Sequence, residues 1–109
     1  MGITKTDFFT EKQNRLATLL KALAHPARIA IIQHLVQDKH CICSNLVDEL
    51  GLAQATVSQH LKELKSIGII KGCVEGNSVS YCIDENVWRQ IQKEWNVFFG
   101  AYHSKQACP

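Results

Sequence analysis

The chain has 109 residues, 46% of them hydrophobic and 20% charged, and a net charge of +2. That fits one domain with a modest core; it is too apolar for a disordered tail, and its charge alone does not announce nucleic acid. No run is long and apolar enough to span a bilayer, and residues 1–6 lack the apolar stretch of a secretion signal, so a cytoplasmic protein with no membrane partner is expected.

Five cysteines are many for this length. In a reducing compartment they mean metal, redox chemistry or small buried hydrophobes sooner than disulfides.

The first helical pattern runs from about Asp7 to Leu23, with Phe8, Leu16, Leu19, Leu20 and Leu23 at helical spacing. Ala24-His25-Pro26 ends it, and Pro26 suits the first turn of a second helix to about Gln37. That helix is predicted to turn Ile29, Ile32, Leu35 and Val36 inward. Asp38-Lys39-His40 reads as a polar break. A short third helix follows Cys41-Ile42-Cys43-Ser44-Asn45 and has Leu46, Val47 and Leu50 as its core face. Gly51 breaks the pattern as a helix C-terminal glycine does, being free to take φ > 0.

A fourth helical pattern, Val57, Leu61 and Leu64, is closed by Gly68. Helix, short turn with glycine, second helix is a helix-turn-helix pattern. The opposite face carries Ala55, Ser58, Gln59 and Lys62, with no acid near its start. Such a face suits a helix that lies in a DNA major groove and offers amides and hydroxyls to base edges. The plainer alternative is an αα-hairpin in a small helical domain.

From Ile69 to Ile83 the period becomes alternating, with a tight turn at Gly76-Asn77. That turn pairs Val74 with Val79 and Gly72 with Tyr81. One face then holds Ile70, Val74, Val79, Tyr81 and Ile83; the outer one holds Lys71, Cys73, Glu75, Ser78, Ser80 and Cys82. A hairpin directly after a helix-turn-helix is a wing. Asp84-Glu85-Asn86 opens a last helix with acid at its N-terminus, as the helix dipole prefers. Trp88, Ile91, Trp95, Phe98 and Tyr102 continue it to about Gly100 or beyond. So small a domain has little core left for both terminal helices, so these are expected to pack against their copies in a homodimer. The tail Ser104 to Pro109 is expected to be mobile.

The expected fold is therefore mostly α with a small β-hairpin, a single winged helix-turn-helix domain over 1–109 in the order α-α-α-α-β-β-α. The expected DNA-reading residues are Gln54, Thr56, Ser58, Gln59, His60 and Lys62, helped by Lys71 and Asn77 of the wing.

Leu23-Ala24-His25-Pro26-Ala27-Arg28, the run from Thr56 to Lys65 (TVSQHLKELK) and Gly68-Ile69-Ile70 resemble the ArsR/SmtB family of winged-helix repressors over roughly residues 12–98. The resemblance implies a homodimer that sits on a palindromic double-stranded operator and leaves it when an effector binds, in many members a metal or metalloid ion. The family's inducer motif, Cys-x-Cys at the start of the third helix, reads Cys41-Ile42-Cys43 here, similar to the arsenic-sensing and cadmium/lead-sensing branches. The arsenic pattern's third cysteine position is Leu46, and residues 1–40 hold no cysteine of the kind the cadmium pattern recruits. The family's zinc site on the last helix has no match, since Asp84 and Asn86 are followed by Val97 and Gly100.

Thiolates are soft donors and select soft ions. Two thiols without a supporting carboxylate or a second histidine argue against zinc. They favour As(III) or Sb(III) as inducer, with Cd(II) or Pb(II) as further candidates. Cys108 is a candidate third ligand, folding over the Cys41/Cys43 pair of either protomer; His40 reads as a polar loop residue. Residues two apart do not meet on a regular helix, so Cys41 and Cys43 converge only where the backbone leaves regular geometry. Ion binding is therefore expected to distort the start of the third helix and reset the recognition helices, whose half-sites lie about 34 Å apart.

Two rivals remain: a thiol-redox or persulfide-responsive repressor of the same fold without a metal, and a dithiol oxidoreductase. The second lacks any cofactor loop or catalytic dyad, so the chain is read as no enzyme. For Cys73 and Cys82 a disulfide, a second metal site and no role all stay open.

Overall fold

The structure is a computed structural model that describes residues 8–38 and 40–104, and of residues 38, 40–42 and 75 the backbone alone. Cys108 and the tail beyond Ser104 lie outside the described residues. Helix α1 spans Glu11–Leu23. It starts later than its apolar spacing predicts, because Thr10 caps it. The Thr10 Oγ1 accepts the Gln13 N–H at 3.1 Å and the Thr10 N–H donates back to Gln13 Oε1 at 3.0 Å. This reciprocal box satisfies two amides at the helix start and leaves Phe8 outside the helix, exposed.

Helix α2 spans Pro26–Asp38. Its Ile31, Ile32 and Leu35 are buried, whereas Ile29 and Val36 are exposed, which corrects the expected inward face. Apolar residues cover most sides of α2, so spacing alone could not choose the buried side; packing against α1 and α4 chose it.

The helix-turn-helix consists of α3 (Cys43–Leu50) and α4 (Gln54–Ser66). Gly51 joins them at φ +66° and donates to the Val47 carbonyl at 2.9 Å. A β-branched or bulky residue would be strained there. Leu46, Val57, Leu61 and Leu64 are fully buried and join Leu19, Ile31, Leu35, Ile69, Ile70 and Ile91 in one core.

Strands β2 (Ile70–Glu75) and β3 (Ser78–Ile83) form the expected hairpin, with Val74 opposite Val79 and Gly72 opposite Tyr81. A further strand, β1 (His40–Ile42), pairs antiparallel with β3, so the sheet order is β1-β3-β2. The polar break expected at His40 is thus the start of a strand. Three residues are too few for an alternating pattern to show. The observed order is the expected winged helix-turn-helix with this strand inserted between the second and third helices.

The apolar face of the wing is covered only at its base. Ile70 is buried, but Val74 and Val79 near the tip are 74% and 39% exposed. The hairpin therefore projects beyond the core.

Helix α5 spans Glu85–Gly100, capped by Asp84, whose carboxylate accepts the Asn86 and Val87 amides at 3.1 and 3.2 Å. It is tied to α1 by Arg15 Nε, which donates to Glu94 Oε1 at 2.7 Å. Trp95 and Phe99 lie ring to ring at 4.9 Å, and Phe98 meets Phe99 edge-on at 5.2 Å. Val97, Phe98, Phe99 and Tyr102 are all exposed. Between α1, α2 and α5 opens an apolar hollow of about 310 Å³, lined by Leu23, Ile29, Ile32, Trp88, Ile91 and Trp95 among others. Among the described residues no helix is long and apolar enough to cross a membrane.

Candidate nucleic-acid interface and thiol site

Helix α4 buries Val57, Leu61 and Leu64 and turns Gln54, Thr56, Ser58, Gln59 and Lys62 to solvent. Its first turn carries no acid, and its N-cap, Ala53, makes no side-chain cap. The positive end of the helix dipole is therefore open to an anion such as a backbone phosphate. Gln59 is held in place by a 3.1 Å bond from its Nε2 to Glu63 Oε1. Lys71 lies near the base of the wing and Asn77 at its tip, both exposed. The exposed row of α4 and the projecting hairpin together make a surface that is polar without acidic side chains at its leading end.

His60 does not belong to that surface, which corrects its expected role. It is only 8% exposed. Its Nδ1 accepts from Arg28 Nε at 3.0 Å, and its ring lies 4.4 Å from that of His25. Arg28 also donates through Nη1 to the Ala22 carbonyl at 3.0 Å, so one guanidinium links the end of α1 to the recognition helix. Burial holds the His60 pKa below the ordinary histidine value, and the neighbouring His25 and Arg28 add to the effect. The signal was available in the sequence: His60 is three residues after Val57 and four before Leu64, on the flank of their stripe. Its polarity hid that placement, and with it the roles of His25 and Arg28.

Cys41 and Cys43 fall in different elements. Cys41 is the middle residue of β1, its backbone paired with Tyr81 of β3. Cys43 is the first residue of α3, half-buried, with its Sγ 3.7 Å from Ser58 Oγ on the recognition helix. Both cysteines were expected at the start of one helix. Instead the chain passes from extended to helical between them, so the backbone there is irregular. Among the described residues no cluster of three His, Cys, Asp or Glu side chains could hold a metal ion; the Cys41 side chain and Cys108 lie outside that set.

On the outer face of the wing, Cys73 lies opposite Ser80 and Cys82 opposite Lys71, which makes the two cysteines diagonal neighbours. Both are free thiols, Cys73 exposed and Cys82 half-buried. Burial pushes the Cys82 thiol up and Cys73 pushes it further, against the opposing charge of Lys71.

Residues 23–73 match a family model described as a helix-turn-helix domain. The chain is 48% identical over 63 residues to the HTH-type transcriptional repressor SmtB of Mycobacterium tuberculosis, an alignment covering 58% of this chain and 46% of that one. It is 37% identical over 79 residues to an uncharacterized HTH-type transcriptional regulator of Methanocaldococcus jannaschii, covering 71% of this chain and 88% of that one. The chain belongs to the ArsR/SmtB family. In fold it is similar to an ArsR-like transcriptional regulator from Rhodococcus, with a TM-score of 0.71 at 20% identity over 84% of this chain and 85% of that one. The chain spans about half the length of the mycobacterial relative. The family match takes in Arg28, both helices of the helix-turn-helix and the first wing strand up to Cys73, and these relatives are named as regulators of transcription, not as enzymes.

Proposed function

We propose that the protein is a homodimeric repressor that holds a palindromic DNA operator through α4 and the wing, and leaves it when As(III), Sb(III) or another thiophilic ion is taken up by Cys41 and Cys43. One observation carries this reading: Cys43, the described half of the thiol pair, touches Ser58 on the exposed row of the recognition helix at 3.7 Å. A sulfur drawn into an ion's coordination shell changes its position relative to that hydroxyl, so ion uptake strains the contact between the start of α3 and α4. Cys41 sits in a strand laddered to the wing, so a shift there is felt in the other DNA-facing element as well. The donor set is soft and carries no carboxylate, which fits As(III), Sb(III), Cd(II) or Pb(II) better than zinc. Cys108 remains the candidate third thiolate.

The dimer reading is supported by the exposed aromatic end of α5. A second copy packed on this face would cover the rings. Two recognition helices fixed at one spacing read two half-sites, and a small change of that spacing is enough to lose both. Weakening the operator complex 100-fold requires the ion to favour the released geometry by about 2.7 kcal/mol, within the usual range of coupling energies.

The test is a DNA-release titration by fluorescence anisotropy with As(III), Sb(III), Cd(II), Pb(II) and Zn(II), on the reduced parent and on Cys41→Ser and Cys43→Ser. The variants should bind operator as the parent does and stay bound when As(III) is added. Release of the double variant Cys41→Ser/Cys43→Ser, titrated alongside them, at the parent's As(III) concentration sinks the proposal. Release of the parent by peroxide or persulfide, with no response to any ion, replaces it with a thiol-responsive repressor.

A further inference from the structure

The wing carries a feature that the proposed induction leaves unused. Cys73 and Cys82 occupy one face of a rigid antiparallel pair, one thiol exposed and the other half-buried beside it. We infer that this pair is a second dithiol site, independent of Cys41 and Cys43, which takes a trivalent arsenic centre carrying one non-thiol substituent of its own.

Geometry, donor count and charge select that ligand. Diagonal partners across an antiparallel pair have Cα atoms about 7–8 Å apart. A disulfide wants them closer than about 6.8 Å, so oxidation would have to bend the hairpin. A single bridging atom relaxes that demand. The register sets both thiols on one face of adjacent strands, which suits a pyramidal centre that keeps its sulfurs close and not a linear cation that drives them apart. Among the described residues no third donor joins the two cysteines, which leaves tetrahedral zinc short of ligands. Lys71 lies directly opposite Cys82 on the same face and repels divalent cations, whereas an arsenous acid derivative is neutral.

The chemistry balances without an oxidant. A compound R–As(OH)₂ meets two protonated thiols; two As–S bonds form, two As–O bonds break, and each thiol proton leaves with a hydroxyl as water. Arsenic stays trivalent throughout. The raised pKa of Cys82 is no obstacle, because the thiols enter the balance protonated.

The test uses Cys41→Ser/Cys43→Ser/Cys108→Ser, which keeps only the wing thiols, with phenylarsine oxide as probe in excess glutathione and intact-mass readout. One equivalent should be retained. Adding Cys73→Ser or Cys82→Ser should lower the retained fraction at least tenfold, since one thiol cannot outcompete glutathione. Failure of the triple variant to retain the arsenical, or retention that survives loss of either wing thiol, overturns the inference. Circular dichroism checks that the triple variant folds. If it does not, the parent is compared with Cys73→Ser alone, where the stoichiometry should fall by one equivalent; an unchanged stoichiometry overturns the inference. Because this readout ignores DNA, it stands or falls apart from the proposed induction at Cys41 and Cys43.

Discussion

Arg28 donates through Nε to Nδ1 of His60 at 3.0 Å, so the recognition helix is tied to α2 by a bond that only a neutral histidine can accept. Protonation would turn Nδ1 into a donor and set a positive charge beside the Arg28 guanidinium. The His60 pKa is lowered in the folded protein, chiefly by burial. Above about pH 6.5 the ring is neutral in both folded and unfolded chains and costs nothing. As pH falls below that value the unfolded chain takes up the proton first, so stability drops until His60 protonates in the folded state too. Thermal melts between pH 7 and 5 should show this decline. His60→Asn, which keeps an acceptor near the Nδ1 position and does not titrate, should flatten it. An equal slope in both proteins would remove His60 from the acid response.

Ser58→Ala tests the contact to Cys43 directly. The contact is proposed to favour the DNA-holding arrangement, so its loss should weaken operator binding and tighten As(III) binding to free protein. Both effects should be small, about 2- to 5-fold, as befits one weak hydrogen bond. An As(III) affinity that does not move, measured by calorimetry, would mean that the contact takes no part in induction.

On the exposed row of α4, Lys62→Ala should weaken all DNA equally and reduce the slope of log K against log salt by about 1, as loss of one phosphate contact does. Gln59→Ala should cost sequence preference, about 1–3 kcal/mol at one base position, with little change on random DNA. If neither variant alters binding, α4 does not lie in the groove.

Phe98→Asp addresses the dimer. Phe98 is 55% exposed in the protomer, so an acid there disturbs the fold little. A charge placed in an aromatic interface should raise the dimer dissociation constant by on the order of 2 kcal/mol, about 30-fold. Sedimentation that finds the parent monomeric at micromolar concentration would defeat the premise.

The helix-turn-helix was legible because its signals are local. Gly51 marks a positive φ, and the period of Val57, Leu61 and Leu64 marks the buried stripe of α4. The wing register was legible from the Gly76-Asn77 turn, since a two-residue loop fixes every pair behind it. What escaped depends on partners far along the chain. Strand β1 exists because β3 offers it an edge some forty residues later, which no three-residue pattern announces. His60 is buried because Arg28, 32 residues away, meets its ring nitrogen. Ile31 displaced Ile29 and Val36 because α2 is apolar on several sides and only its neighbours decide which one is covered. The residues read as the polar row of α4 are exposed apart from His60, whereas Cys41 and Cys43 fall in two elements, a strand and a helix, instead of one helix start.

The ladder from His40–Ile42 to Ser80–Cys82 has a consequence for engineering. A wing grafted from a relative whose third strand finds no such partner would leave Cys41 in a loop. If Cys41 takes up the inducing ion as proposed, the graft would alter the DNA preference, as intended, and the inducer threshold with it. On that reading, specificity and sensitivity could not be tuned separately through the wing, because one strand, β3, is laddered to Cys41 and to the rest of the hairpin.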